Sequence, residues 1–348
     1  MGGERIRVAV LAGGRSSEHD ISLASARSVL EALDPDRYDV VTVAIGRDGR
    51  WELGAAGNPA PALPSNSLLQ GRSVAESLPI PADSAPAALG AVDVVLPILH
   101  GPFGEDGTVQ GLLELADVAY VGAGVAASAL CMDKDLFKKV LRESGIRVAR
   151  SVTLRAGDEL ENPFGFPVFV KPARLGSSLG ITKAHDEDEL RSGTELAFRH
   201  DEKILIEEFL DGTEVEVGVL GNRQPVASLP GQIVPLGHEW YDYSSKYDEG
   251  GMKLVIPPEL PEETLREIQR IAVEAFVVTD CEGMARVDCF VVGDGEVVVN
   301  ELNTIPGFTA TSVYAKLFEA SGVPYGELLE RLIELAVERR ERRSQLRF

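Results

Sequence analysis

Gly283-Met284-Ala285-Arg286-Val287-Asp288-Cys289-Phe290-Val291-Val292 and Glu296-Val297-Val298-Val299-Asn300-Glu301-Leu302-Asn303 read as two β-strands joined by Gly293-Asp294-Gly295. Asp-Gly between β-branched runs is a strong hairpin signal. With Asp294-Gly295 as a two-residue turn, Gly293 pairs with Glu296, Asp288 with Glu301, and Arg286 with Asn303. Side chains alternate along each strand, so all four polar groups share one face. Directly opposed Cβ atoms then lie about 4.5–5.5 Å apart.

Two carboxylates that close repel, and among Val, Phe and Leu they also lose solvation. A divalent cation relieves both costs. Two carboxylates and an amide oxygen are hard donors, suited to Mg²⁺ held together with substrate phosphates. Pro306 and Gly307 turn the chain tightly beside the cluster. The plainer alternative is an ordinary hairpin with a solvated polar edge.

The chain has 348 residues, enough for two or three domains. Its net charge of -21 makes it a poor candidate for general nucleic-acid or anionic-membrane binding. Cys131, Cys281 and Cys289 form neither a disulfide framework nor a metal spacing, and read as packing residues. The N-terminus carries no signal-peptide core, and no stretch is apolar for long enough to span a membrane. A cytoplasmic protein is expected.

The first part alternates strand and helix. Residues 7–12, 40–45, 93–99 and 118–121 read as strands, and 20–33 and 108–116 as helices, with Leu23, Arg27, Leu30 and Leu33 on one stripe of the first. That pattern predicts a doubly wound parallel sheet. Residues 54–90, rich in Pro, Ala, Gly and Ser, read as a surface insertion. A helix over 134–144, strands over 168–171 and 203–208, and a helix over 186–198 form a second unit. A strand over 214–220, a polar loop over 235–251, a helix over 262–277, the hairpin and a helix over 326–342 form a third. The domains expected are 1–133, 134–212 and 213–348. The basic end Arg339-Arg340-Glu341-Arg342-Arg343 suits a helix C-terminus.

Four more constellations carry chemistry. Lys171 ends an apolar strand, Pro172 is expected to stop its pairing, and Gly176-Ser177-Ser178-Leu179-Gly180 follows shortly. Glycines admit backbone N–H groups to an anion, serines add donors, and the lysine adds a point charge, as phosphate requires. A plain Gly/Ser turn is the alternative. Glu207-Glu208-Phe209-Leu210 and Glu214 offer a strand edge and an acid for a purine and a ribose, or simply a solvated acidic edge. Gly13-Gly14-Arg15-Ser16-Ser17-Glu18-His19-Asp20 joins a strand to a helix. It lacks the third glycine of a dinucleotide loop, and Glu18 would oppose a pyrophosphate but could hold an ammonium. The bland reading is a cap, with Ser16 or Ser17 as the N-cap. His100-Gly101-Pro102-Phe103-Gly104-Glu105-Asp106-Gly107 follows a buried strand, at the edge where open α/β sheets bind ligands.

Together, and in order along nearly the whole chain, these motifs resemble the D-alanine–D-alanine ligase family of the ATP-grasp fold. The resemblance covers residues 13–23, 100–111, 132–134, 170–180, 207–214, 241–247, 286–288 and 300–312. It implies an α/β protein with an N-terminal doubly wound parallel domain and two α+β domains enclosing a nucleotide. It implies an ATP-dependent ligase making D-alanyl-D-alanine for peptidoglycan through a D-alanyl phosphate, with two Mg²⁺ ions (Mn²⁺ able to substitute). By position, Asp288, Glu301 and Asn303 would hold the metal. Lys134 and Lys171 would hold ATP phosphates under a lid at Gly176, Ser177 and Ser178. The backbone from Glu207 to Leu210 would meet adenine and Glu214 the ribose, with Lys246 also on the nucleotide. Glu18 would hold the first substrate's ammonium, with His100 beside it. Arg286 and the Gly307 backbone would form the oxyanion site, and Ser312 would bind the second substrate's carboxylate. Ser177 and Tyr247 would tie the lid and an omega loop to Glu18.

The resemblance further implies small-molecule partners and a homodimer. Tyr241-Asp242-Tyr243-Ser244-Ser245-Lys246-Tyr247 resembles the loop of enzymes using an amine acceptor, which favours D-alanine over D-lactate and leaves D-serine as an alternative. A nucleotide-binding regulator without chemistry is the competing class.

Overall fold

The computed structural model describes residues 5–53, 79–80, 89, 92–236 and 251–347. Most of the 54–90 insertion and all of the 241–247 loop lie outside the described residues.

The chain opens with β1 (Ile6–Gly13), α1 (His19–Ala32), β2 (Tyr38–Ile45), β3 (Trp51–Leu53), β4 (Pro79–Ile80), β5 (Val94–Ile98), α2 (Thr108–Leu115) and β6 (Ala119–Tyr120). The sheet order is β4-β3-β2-β1-β5-β6. β1 pairs in parallel with β2 and β5, and β5 with β6, while β3 and β4 extend one edge in antiparallel fashion. The chain winds outward in both directions from β1. The loops after β1 and β5 therefore part at the carboxyl edge, the switch point where such sheets bind ligands. The expected leucine stripe is not the innermost face of α1. Ser22, Ser25, Ala26 and Val29 are buried, and these smaller residues let the helix approach the sheet closely, while Leu23 and Leu30 pack at its flanks.

Two helices follow, α3 (Val125–Met132) and α4 (Lys134–Glu143), the latter capped by the Asp133 side chain on the Leu136 N–H. The second unit holds β7 (Ser151–Arg155), β8 (Val168–Pro172), β9 (Thr182–Ala184), α5 (Glu187–Phe198) and β10 (Lys203–Glu208), with sheet order β7-β10-β8-β9. Pro172 does not stop the pairing, because it still faces Ile204 across the ladder.

The third sheet contains β11 (Gly212–Gly221), β12 (Val226–Ala227), β13 (Gly231–Pro235), β14 (Met252–Val255), β15 (Gly283–Val292) and β16 (Glu296–Asn303). Its order is β14-β13-β11-β15-β16, with β12 pairing β11. α6 (Glu262–Val278) packs on it, and α7 (Val313–Ala320) and α8 (Tyr325–Ser344) complete the chain. α8 returns to the first sheet, where Leu328, Leu329 and Leu332 join Val8, Val10 and Leu96 in one core. Arg339 is buried there, donating to the Tyr120 carbonyl at 2.8 Å and to the Gly122 carbonyl, with its guanidinium 4.2 Å from the Tyr120 ring centroid. Arg339 therefore fastens the helix to the sheet and does not merely balance a helix end.

The hairpin differs from expectation at its turn. Val292 pairs with Glu296, so the loop has all three of Gly293, Asp294 and Gly295, and a register shift falls beside Asp288 and Cys289. Asn300 is the unpaired bulge residue. It cancels the turn's offset, so Arg286 still faces Asn303 and Asp288 still faces Glu301. A bulge adds one residue to one strand and re-aims its side chains. Here Val299 and Leu302 remain buried, while Asn300 and Glu301 are partly exposed between them.

Candidate active site

The loop after β1 meets the loop after β5. Ser16 Oγ donates to the His100 carbonyl at 2.6 Å and accepts from the Glu18 N–H at 3.2 Å. Neither Ser16 nor Ser17 caps α1, whose N-cap position is Glu18 with no side-chain cap bond. Glu18 is buried and accepts a hydrogen bond from Ser177 Oγ of the loop between β8 and β9. Gly101 has a φ of +72°, and a Cβ there would sit 2.6 Å from Glu18 Oε2, so the carboxylate requires glycine beside it. Ser177 and Ser178 themselves have φ of 53° and 56°, a costly left-handed conformation for non-glycine residues.

Two cavities meet at this contact. One, of about 560 Å³, is lined by Glu18, His100, Arg286, Asn303, Gly307 and Ser312 among others. The second, of about 400 Å³, is lined by Lys134, Lys171, Gly176, Ser178, Leu210 and Glu214, with Glu207 behind them. Ser177 and Glu301 line both. The two cavities are thus lined by every described residue singled out for the site except Asp288, which is buried against Arg286 and Asn303; Lys246 and Tyr247 lie outside the described residues.

The base of the second cavity holds a buried charge network. Lys171 Nζ lies 2.5 Å from Glu207 Oε1, and Lys138 Nζ lies 2.8 Å from Glu207 Oε2. Burial pushes the Glu207 carboxyl up, but the Lys138 and Lys171 charges outweigh it and hold the group at about 2. The trio carries one net positive charge in an acidic chain, which suits a phosphate. Lys134 donates to the Leu175 carbonyl at 2.7 Å and lies 3.6 Å from Glu301, so it fixes the lid's root beside the hairpin. Sequence reasoning missed Lys138. Its signal was the four-residue spacing from Lys134, which puts both on one face of α4.

On the hairpin, Arg286 donates to both Asp288 oxygens at 2.7 Å and lies 2.9 Å from Glu216. Glu216, also missed, faces Asp288 from β11, so Glu216, Asp288 and Glu301 stand on three adjacent strands. The alternation Glu214-Val215-Glu216-Val217 was its signal. Asn303 Nδ2 donates to Asp288 Oδ2 at 3.0 Å. Among the described residues, no three His, Cys, Asp or Glu side chains converge as a metal cage. The candidate donors are the two carboxylates of Asp288 and Glu301 and the Asn303 amide, whose oxygen faces a cation after half a turn. This all-oxygen set, beside a cavity with Lys134 and Lys171 in its lining, fits Mg²⁺, which takes few protein ligands.

His100 Nδ1 lies 3.0 Å from the Ile305 carbonyl, and Nε2 lies 3.3 Å from Ser25 Oγ. Burial pushes the imidazole down from its ordinary value despite the Glu18 charge, which favours neutral His100 donating through Nδ1. Glu105, a further missed residue, is buried and pushed up to about 8, first by burial and then by Glu18. The Ser312 hydroxyl bonds the Thr309 N–H at 3.0 Å and the Thr309 hydroxyl at 2.8 Å. A Cβ at Gly307 would lie 3.4 Å from Ser312 Oγ.

Comparison with known proteins places the whole chain among relatives. Residues 7–123 match the family described as D-ala D-ala ligase N-terminus, and residues 140–334 the family described as D-ala D-ala ligase C-terminus. The chain is 43% identical over 358 residues to a D-alanine–D-alanine ligase of Oceanobacillus iheyensis, covering 98% of each. Among solved structures, the D-alanine-D-alanine ligase of Coxiella burnetii superposes with a TM-score of 0.81 at 37% identity, covering 99% of this chain and 97% of that one. The VanG D-Ala:D-Ser ligase of Enterococcus faecalis does so with a TM-score of 0.82 at 34% identity, covering 96% and 100%.

Proposed function

The chain belongs to the D-alanine–D-alanine ligase family, and from that premise we propose how its residues carry out the reaction. It is an ATP-grasp enzyme that uses ATP to join two D-alanine molecules into D-alanyl-D-alanine, a peptidoglycan precursor. A carboxylate is a poor electrophile with a poor leaving group. A carboxylate oxygen of the first D-alanine takes the γ-phosphoryl group, ADP leaves, and a D-alanyl phosphate forms. The amine of the second D-alanine then attacks the acyl carbon and loses a proton, and phosphate departs.

The observation that carries the assignment is the position of Glu301, which lines both cavities and faces Asp288 across the hairpin. The second cavity takes the nucleotide. Lys134 and Lys171 bind its phosphates beneath Gly176, Ser177 and Ser178, the edge from Glu207 to Leu210 receives adenine, and Glu214 receives the ribose. The first cavity takes the amino acids. Glu18 binds the ammonium of the first D-alanine, with His100 alongside. Arg286 and the Gly307 N–H stabilise the oxyanion, where preorganised donors are worth most. Ser312 receives the carboxylate of the second D-alanine. The Ser177–Glu18 bond closes the lid, and exclusion of water protects the acyl phosphate from hydrolysis. Lys246 and Tyr247 are assigned to the nucleotide and the lid on the family resemblance.

Asp288, Glu301 and Asn303 would hold the two Mg²⁺ ions. When bound there, magnesium would supply positive charge to neutralise and orient phosphoryl oxygens. The reading of three units, 1–133, 134–212 and 213–348, is supported by the three sheets, while Leu220, Phe308, Tyr314 and Leu328 of the third reach into the core of the first. A homodimer in the cytoplasm rests on the family resemblance. No described helix is long and apolar enough to cross a membrane. The D-Ala:D-Ser neighbour keeps D-serine as the alternative acceptor.

Glu301→Gln tests the assignment through phosphate release from Mg·ATP with D-alanine. Turnover is expected to fall at least about a hundredfold, because a carboxylate charge that would hold the metal is lost. Near-normal turnover in the folded variant would refute the metal set.

A further inference from the structure

The 305–310 loop of the third unit is tied at each flank of one residue. The Ile305 N–H donates to Glu105 Oε1 at 3.1 Å, and the Ile305 carbonyl faces His100 Nδ1 at 3.0 Å. The other Glu105 oxygen accepts from the Gly101 N–H at 2.7 Å. The Phe308 N–H donates to Ser25 Oγ at 3.3 Å, the Thr309 N–H to Ser312 Oγ at 3.0 Å, and the Ala310 N–H to Ser28 Oγ at 2.9 Å. Pro306 has no N–H. Among the described residues, the Gly307 N–H is therefore the one donor of this stretch with no bond, and Gly307 lines the substrate cavity.

Glu105, His100, Ser25 and Ser28 all come from the first unit, about 200 residues or more from the loop they hold. Glu105 and Ser25 are buried, so solvent cannot replace them as partners. Resting on the ligase reading, we propose that Glu105 and Ser25 are positioning residues: they clamp the loop on both sides of Gly307 and aim its N–H at the oxygen that becomes negative during transfer. Neither touches the reacting atoms. Their contribution is the placement of a donor, and a donor shifted by about 1 Å loses much of its effect.

Glu105→Gln keeps the shape but replaces one accepting oxygen with an NH₂, so either Gly101 or Ile305 loses its partner. The expected result is a fall in kcat of roughly 100-fold, with the KM values for ATP and the first D-alanine within about twofold of the parent, the shift being confined to the transition state. A tetrahedral phosphinate analogue of the dipeptide should lose affinity by the same factor as kcat/KM, whereas a merely structural defect would weaken ATP and the analogue alike. Ser25→Ala removes the Phe308 anchor together with the contact to His100 Nε2, leaves the Glu105 bonds in place, and should show the same split with a smaller loss; it carries the test if Glu105→Gln does not fold. Wild-type kcat in either folded variant, or equal losses for ATP and the analogue, would overturn the clamp alone. A parent enzyme without ligase activity would remove the ligase reading and the clamp with it.

Discussion

Glu207 sits between Lys138 and Lys171, with both lysine nitrogens within 2.8 Å. Its folded pKa of about 2 lies below the ordinary glutamate value of 4.5. A depressed carboxyl contributes stability that is fully present above its unfolded value and is lost as pH falls from about 4.5 toward 2. The contribution is on the order of 3 kcal/mol. Denaturant unfolding between pH 6 and pH 2 should show this acid limb, and Glu207→Gln should flatten it. The same variant should cost about 3–5 kcal/mol near neutral pH, because two buried lysines lose their counter-charge. An unchanged acid limb would show that the lysines are not what holds Glu207 ionised. Glu216, Glu105 and Lys138 escaped sequence reading for one physical reason. Each is a charged residue whose partner lies far away in sequence, so composition and spacing show the charge but not the burial.

The β15–β16 hairpin shows how an element can be read correctly at its functional end and wrongly at its turn. Asp-Gly suggested two loop residues, yet Gly293 also leaves the ladder, and the Asn300 bulge restores the pairing of Asp288 with Glu301. The bulge is not needed for pairing, since removing Asn300 would let Val299 and Glu301 meet Cys289 and Asp288 in an unbroken ladder. Its effect is to add a polar residue on the nucleotide side, where Asn300 Oδ1 lies 3.4 Å from Lys171 Nζ. Deletion of Asn300 should therefore leave the melting temperature nearly unchanged while raising the KM for ATP about tenfold, the size of one lost charge-assisted bond. An unchanged KM, or a chain that no longer folds, would contradict this. Long periodic elements such as α6 and α8 were legible to within a few residues. β9, β12 and β14 were not, because two to four residues cannot establish an alternation. α3 was missed because its run Val-Ala-Ala-Ser-Ala-Leu-Cys-Met is apolar almost throughout and shows no amphipathic face.

At the scale of the molecule, the proposed active site is a junction of three sheets. Glu18 and His100 come from the first, Lys171 and Ser177 from the second, and Arg286, Asp288 and Glu301 from the third. Ser177 to Glu18 and Glu105 to Ile305 are bonds between units, and α8 with Arg339 locks the chain's end onto its beginning. The ordered motifs made the reaction class legible in the sequence, because each must present a fixed chemistry to ATP or an amino acid. The proposed clamp on Gly307 was not legible, because the Glu105 and Ser25 side chains meet backbone N–H groups about 200 residues or more away, and those groups leave no mark in the sequence. The most direct test of the central claim is phosphate release from Mg·ATP with D-alanine, alone and mixed with D-serine or D-lactate, with products identified by mass. Release dependent on D-alanine, giving D-alanyl-D-alanine even in the mixtures, is the predicted result. ATP binding with no phosphate released in any mixture would contradict it.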